Sequence, residues 1–140
     1  IKMKVRCLCG ATQFEVQLKN HEVCACHCSM CRRQTGGPLM TVDIQDIDFM
    51  DPQHLSVFRS SDWGERGFCN ACGTLIFWRT KDHTFANINV FSLEQLPEDL
   101  NFNLEIYVDN QPAFYSFNNQ TKKMTEAEVI AMFSKDQEEK

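Results

Sequence analysis

Apolar and polar residues alternate from the start of the chain. Val5, Cys7 and Cys9 share one parity; after Gly10, Thr12, Phe14, Val16 and Leu18 share another. A period of two is the mark of a half-buried strand, and a glycine between two such runs marks a turn. The pattern predicts two strands within residues 3–19, turning at Gly10. Leu39-Met40-Thr41-Val42-Asp43-Ile44 predicts another. So do Leu55–Phe58, Arg66–Cys69, Leu75–Trp78, Phe85–Val90 and Leu104–Val108. These runs are short, rich in β-branched and aromatic residues and separated by polar turns, which is the pattern of a mainly β chain. Between the first strands and Leu39 lie a cysteine cluster and the loop signal Gly36-Gly37-Pro38.

Helical signals come late. Ser92-Leu93-Glu94-Gln95-Leu96 predicts a single turn stopped near Pro97. Thr125 with Glu128 three residues on forms a capping box, and Val129, Ile130 and Phe133 follow on one face. A short C-terminal helix over about 125–135 follows, and residues 136–140 are expected to fray. With neither an internal repeat nor a linker, residues 1–140 read as one domain, its core about 3–118.

Composition narrows the function. A length of 140 residues suits one hydrophobic core. The net charge of −5 argues against a nucleic-acid surface, which relies on clustered Lys and Arg. The sequence contains no apolar run long enough to cross a bilayer. The basic start Ile1-Lys2-Met3-Lys4-Val5-Arg6 lacks the apolar stretch of a secretory signal, so a cytoplasmic location is expected. Eight cysteines in such a chain read as metal ligands more readily than as disulfides. The tight C-x-C spacing also counts against a secreted disulfide framework, because such pairs converge on one ion better than they bridge to each other.

Two clusters stand out. Cys7-Leu8-Cys9-Gly10 and Cys69-Asn70-Ala71-Cys72-Gly73 look like halves of one tetrathiolate. Zinc takes four thiolates tetrahedrally at ~2.3 Å, and closed four-ligand sites are structural. A glycine after each second cysteine lets the chain turn and aim backbone N–H groups at sulfur. The second cluster is Cys26, Cys28 and Cys31, spaced C-x-C-x-x-C. Three thiolates leave a fourth zinc position for water or substrate, as catalytic zinc requires. Cys24 would close that site. Along an extended strand, however, positions 24 and 28 lie ~13 Å apart, so Cys24 reads as a nearby free thiol. His27, between two ligands, reads as a partly exposed surface histidine. Arg32 and Arg33 are either solvated charges or cations that offset the trithiolate and hold a substrate carboxylate. The two readings stay equal.

These same residues resemble the family of glutathione-dependent formaldehyde-activating enzymes, which includes centromere protein V-like proteins. The resemblance is carried by Cys7-Leu8-Cys9-Gly10-Ala11 with Phe14, by Cys26-His27-Cys28-Ser29-Met30-Cys31-Arg32-Arg33 with Thr35-Gly36, and by Arg66-Gly67-Phe68-Cys69-Asn70-Ala71-Cys72-Gly73. Phe77-Trp78, Ser92-Leu93 and Ile106-Tyr107-Val108-Asp109 with Pro112 echo it more weakly. It implies several coiled antiparallel β-sheets, sometimes called a β-tent, and two zinc ions. Cys7, Cys9, Cys69 and Cys72 would hold a structural ion, and Cys26, Cys28 and Cys31 a second, catalytic one. It also implies a carbon–sulfur lyase that joins formaldehyde to glutathione as S-(hydroxymethyl)glutathione. Cys24 is not a general family position, Glu105 stands where many members have His, and Phe114 where Trp is common.

A zinc-dependent lyase acting on glutathione or a related thiol adduct is therefore the leading expectation, with Arg32 or Arg33 on a substrate carboxylate. The alternative is a non-catalytic, zinc-stabilised binding module, which a closed site including Cys24 would favour. Chromatin or microtubule binding fits an acidic chain poorly. Weakly held metal would leave Cys24, Cys26, Cys28 and Cys31 open to oxidation. The oligomeric state stays open, since Trp63, Phe58 and Phe114 suit core and interface equally.

Overall fold

The structure is a computed structural model that describes residues 2–45 and 53–138. The first two strands, β1 (Met3–Arg6) and β2 (Gln13–Val16), form an antiparallel hairpin with Met3 opposite Val16. Gly10 takes a left-handed φ of 83° in the connection, which no side chain would favour there. The remaining strands are β3 (Leu18–Cys26), β4 (Leu39–Ile44), β5 (Leu55–Arg59), β6 (Gly64–Cys69), β7 (Leu75–Thr80), β8 (Ala86–Asn89), β9 (Asn101–Ile106) and β10 (Lys122–Met124). They build one sheet in the order β10-β9-β3-β4-β8-β7-β6-β5. The mainly β expectation holds, with one qualification. β9 runs parallel to both β3 and β10, so the larger sheet is mixed rather than purely antiparallel.

Several elements lie where the pattern showed none, among them β3, α1 and the three-residue edge strand β10. β3 spans nine residues, but its middle is Lys19-Asn20-His21-Glu22, and its pairing with β4 shifts register between Leu18 and Val23. An irregularity of that kind breaks the alternation on which a sequence reading depends. The short helix α1 (Ser29–Thr35) falls inside the cysteine cluster. Its cap is a cysteine: Cys31 N–H donates to Cys28 Sγ at 3.3 Å. Cysteine is not one of the usual capping residues, so the start signal is invisible. Gly36, with φ 81°, ends it. The helical turn expected near Ser92 is a 3-10 turn at Val90–Ser92, capped by the Asn89 side chain, while Leu93 bridges to Val5.

Register places whole rows of side chains on each face of the large sheet. Val23, Val42, Ile88, Phe77 and Gly67 are successive cross-strand partners from β3 to β6, and the four side chains among them are buried. Burying each such apolar side chain contributes ~1.5–3 kcal/mol. Gly67 completes the row because Phe77 covers it: a Cβ there would sit 2.0 Å from the Phe77 ring. The neighbouring row, Asp43, Asn87, Trp78 and Arg66, occupies the opposite face with Cys24, Cys26 and Thr41. One face holds the core; the other carries a polar row and the sulfurs of Cys24 and Cys26.

The helix α2 (Glu126–Glu138) follows the expected capping box. Thr125 N–H donates to Glu128 Oε1 at 2.9 Å, and Glu128 N–H returns to Thr125 Oγ1 at 3.3 Å. Its inner face is Val129 and Phe133, one turn apart. Ile130, expected on that face, is exposed because one residue turns the helix by about 100°. Phe133 packs against Trp63, Trp78 and Phe85 at centroid distances of 5.2, 5.8 and 5.2 Å. This anchors α2 over the polar face. Trp63 thus belongs to a packed aromatic group, whereas Phe58 and Phe114 are exposed.

At the far edge, Glu65 on β6 accepts from Arg59 Nη2 at 3.2 Å and from Arg79 Nε at 3.0 Å, its register partners on β5 and β7. Burial raises its pKa, but the two guanidinium groups outweigh burial and hold it below the ordinary carboxylate value. A depressed folded-state pKa stabilises above the unfolded pKa, and that stability is lost as pH falls through the folded value. Glu65→Gln is expected to destabilise at pH 7 by about 1.5–3 kcal/mol and to flatten the loss of stability below about pH 4.5. Urea denaturation at pH 7 and pH 4 checks both. Gly67→Ala is expected to cost about 1–3 kcal/mol through overpacking against Phe77, read as a lower thermal midpoint at unchanged metal content.

Candidate metal centres and the cavity beside them

The turn after β1 and the turn between β6 and β7 bring four sulfurs together. Cys7 Sγ lies 3.6 Å from Cys9 Sγ, and Cys9 Sγ 4.0 Å from Cys69 Sγ. All four sulfurs of Cys7, Cys9, Cys69 and Cys72 fall within 4.8 Å of one another. Four ligands at ~2.3 Å around a tetrahedral ion stand ~3.8 Å apart, so the quartet fits a single zinc. Backbone donors already point at it: Thr12 N–H to Cys7 Sγ at 3.3 Å and Ala11 N–H to Cys9 Sγ at 3.4 Å. Gly10 and Gly73 both take φ 83°, the turn each half needs. The Thr74 hydroxyl, 3.1 Å from Cys72 Sγ, and nearby backbone donors hold that thiol down to about 5. Leu8 N–H also donates to Thr74 Oγ1 at 3.0 Å, so the halves are tied beside the sulfurs as well as through them.

The second group assembles where β3 gives way to α1. Cys26 ends the strand, Cys28 caps the helix and Cys31 sits in its first turn, with their sulfurs within 4.8 Å of one another. The thiols of Cys26 and Cys31 donate to Cys28, which is held far below the ordinary thiol value, while Cys26 is pushed far above it. Three convergent cysteine sulfurs are the donor chemistry zinc selects. Cys24 lies one pleat repeat up the same strand face and is not part of the convergent group. Burial, and then the Asp43 charge, push its thiol up to about 12, so it stays protonated.

His27 differs from expectation. It is fully buried rather than partly exposed. β3 stops at Cys26, and the chain turns so that the imidazole goes inward. Nε2 lies 2.8 Å from Glu105 Oε1, and Nδ1 lies 2.7 Å from Tyr115 Oη. Glu105, also buried, accepts from Thr121 Oγ1. His27 N–H donates to Ile106 O, and Arg32 Nε donates to His27 O at 3.0 Å. The ligand loop is thus bolted to β9 and to residues 115–121. The partners lie 78 and 88 positions away, beyond any local pattern. Glu105 had stood out only as a departure from the family's histidine.

A cavity of about 220 Å³ lies between the polar face of the sheet and α2. Cys26, Cys28 and Cys31 form one wall, and Trp63, Trp78, Phe85 and Phe133 another. Arg32 and Arg33 line none of it: Arg32 serves the His27 carbonyl and Arg33 is exposed. The cation present is Arg66, which reasoning from sequence quoted within a motif without giving it a role. It is buried, donates from Nη2 to Cys31 Sγ at 3.4 Å and from Nη1 to Gln34 Oε1 at 3.0 Å, and leaves Nε–H without a partner. Register with Trp78, Asn87 and Asp43 brings it there, which no local pattern in the sequence shows. Tyr107, left-handed at φ 57°, is pushed up to about 12 by burial and then by the negative charge of the cysteine trio, and lines the same cavity.

Residues 2–110 match the family described as glutathione-dependent formaldehyde-activating enzyme. A Schizosaccharomyces pombe protein named as an uncharacterized lyase is 28% identical over 126 residues, covering 89% of this chain and 91% of its own. A Halomonas elongata protein provisionally named a glutathione-dependent formaldehyde-activating enzyme is 28% identical over 114 residues, covering 71% and 73%. A Rhodobacter sphaeroides crystal structure superposes with a TM-score of 0.55 at 27% identity, covering 74% of this chain and 99% of that one. Among the described residues, no helix is long and apolar enough to cross a membrane.

Metal analysis separates the two clusters. Structural zinc contributes ~10–16 kcal/mol of apparent binding free energy in small peptides, which rivals the ~5–15 kcal/mol net stability of a domain. Cys69→Ser is expected to lose its ion and its cooperative unfolding transition. If both groups take zinc, Cys28→Ser is expected to lose one equivalent and to keep its near-ultraviolet dichroism. Zinc per chain and thermal melts together check this.

Proposed function

We propose that this chain, which belongs to the glutathione-dependent formaldehyde-activating enzyme family, is a zinc-dependent carbon–sulfur lyase. Its reaction joins formaldehyde to glutathione as S-(hydroxymethyl)glutathione, or cleaves that adduct. One observation carries the reading: three sulfurs, not four, converge at the wall of a cavity. Cys26, Cys28 and Cys31 would hold the ion, with Cys7, Cys9, Cys69 and Cys72 holding a separate structural one. When bound, zinc lowers the pKa of a coordinated thiol.

The rest falls to the chain's own side chains. In the forward direction the substrate sulfur gives an electron pair to the aldehyde carbon and the carbonyl π pair moves to oxygen. That oxygen then takes up the proton the thiol released. Cleavage is the same sequence reversed. Negative charge passes from sulfur to oxygen, and Arg66 is placed to follow it, one guanidinium nitrogen on Cys31 and another unpartnered. A preorganised donor of this kind stabilises charge as it develops. Arg66 thereby takes over one part of what the sequence suggested for Arg32 and Arg33, the offsetting of sulfur charge; the substrate-carboxylate part is not carried over to it. The apolar aromatic wall lowers the local dielectric, which strengthens these charge interactions, and the His27–Glu105 pair holds the ligand loop still.

Exchange of isotopically labelled formaldehyde with S-(hydroxymethyl)glutathione, followed by NMR, is expected to run faster with zinc-loaded protein than without it. Arg66→Gln is expected to lower the rate about 10–100-fold at unchanged zinc content. A rate no higher than the spontaneous one, with both ions bound, would overturn the activity.

A further inference from the structure

The cavity is polarised along its length. Its sulfur end carries Arg66, the only Lys or Arg among its described lining residues. Its far end carries acceptors. Asp43 on β4 and Asn87 on β8 are direct cross-strand partners, and Asn87 and Arg66 flank Trp78 on either side. With strands ~4.8 Å apart, the Asp43–Asn87 pair begins ~10 Å from the Arg66 backbone, with Trp78 as the floor between them.

Two buried side-chain polar atoms among the described residues have no hydrogen-bond partner: Arg66 Nε and Asn87 Oδ1. Both belong to residues lining this cavity, one at each end. A buried donor or acceptor left unpaired is destabilising, so each is an exception that calls for a partner. One is a donor and the other an acceptor. Asp43 adds a carboxylate beside the acceptor, and Glu22 lines the same end. Asp43 takes a hydrogen bond from Asn20 and feels Lys19, yet burial still raises its pKa. Lys19 does not line the cavity, so nothing among the lining residues supplies that end with a positive charge.

Resting on the lyase reading above, we propose that Asp43 and Asn87 form a specificity subsite for the ammonium group of an aminothiol substrate, remote from the sulfur that the cysteine trio receives. An ammonium carries three donors, enough for an Asp43 oxygen and, once the Asn87 amide turns its shielded oxygen toward the cavity, for Asn87 Oδ1 as well. At about 220 Å³ the cavity is smaller than the ~300–1,000 Å³ of drug-sized ligand sites. It therefore takes a small thiol or one arm of a longer one, and a charged handle at the far end selects which. A thiol lacking that handle would leave Asn87 unpaired, and sites built to hydrogen-bond a group discriminate strongly against analogues lacking it.

Calorimetric titration of the zinc-loaded full chain with glutathione, and with its analogue lacking the α-ammonium group (glutaryl-cysteinyl-glycine), tests this. The wild type is expected to prefer glutathione by at least about 10-fold. Asp43→Asn and Asn87→Leu are each expected to erase most of that preference, leaving affinity for the deaminated analogue within about twofold of wild type. In turnover, KM for glutathione rises while kcat holds. Equal wild-type affinity for both thiols overturns the subsite and leaves the lyase reading intact, and this comparison needs no variant to fold. A variant that weakens both thiols equally points to a merely structural role and overturns it as well. Binding of neither thiol overturns the lyase reading and the subsite with it.

Discussion

The pleat of one mixed sheet is the constraint on which everything else rests. Thr41 and Val42 are neighbours in the chain yet face opposite sides. Val42 is sealed between Val23 and Ile88, whereas Thr41 joins Cys24 on the cavity side. Because the same backbone hydrogen bonds fix both rows, a shift of one residue would exchange them entirely. The core row leaves no latitude, since Phe77 lies against a strand position that tolerates no Cβ. The chemistry on the other face inherits that rigidity, which is what a site holding several groups in fixed relation requires.

Rigidity reaches the ligand loop by a second route. The residues between Cys26 and Cys31 leave the sheet, and a loop carrying three sulfurs would wander without an anchor. His27 supplies it by going under the loop rather than over it. Its pairing with Glu105 on β9, and the hold of Glu105 on Thr121, connect the trio to the segment leading into α2. Burial alone would raise the Glu105 pKa, but hydrogen bonds from Thr121 and His27 reverse the direction. The carboxylate is therefore kept charged by the contacts it organises. The segment that carries α2 across the cavity is tied to the loop that forms the opposite wall.

The two sulfur groups differ in surroundings as well as in number. The quartet is stapled by glycine turns and backbone donors, with Cys7 and Cys69 contributing to the main core. The trio looks onto an aromatic-walled cavity with a buried guanidinium at its edge. A closed set of four suits a fastening role. An incomplete set beside a cavity suits chemistry.

Residue spacing alone determined the sulfur chemistry: the pairs Cys7/Cys9 and Cys69/Cys72, the compact Cys26/Cys28/Cys31, most of the strands and the capped start of α2. Those features are local, because a two-residue repeat, a C-x-x-C-G turn or a capping box is written in neighbouring positions. Tertiary structure decided the rest. α1 escaped notice because a cysteine caps it, and β3 because a register shift interrupts its alternation. His27 went inward, and Arg66 rather than Arg32 or Arg33 reached the cavity, because those outcomes depend on partners dozens of residues away. Which strand lies beside which is settled only when the core closes, and strand order is what brings Asp43, Asn87, Trp78 and Arg66 into one line.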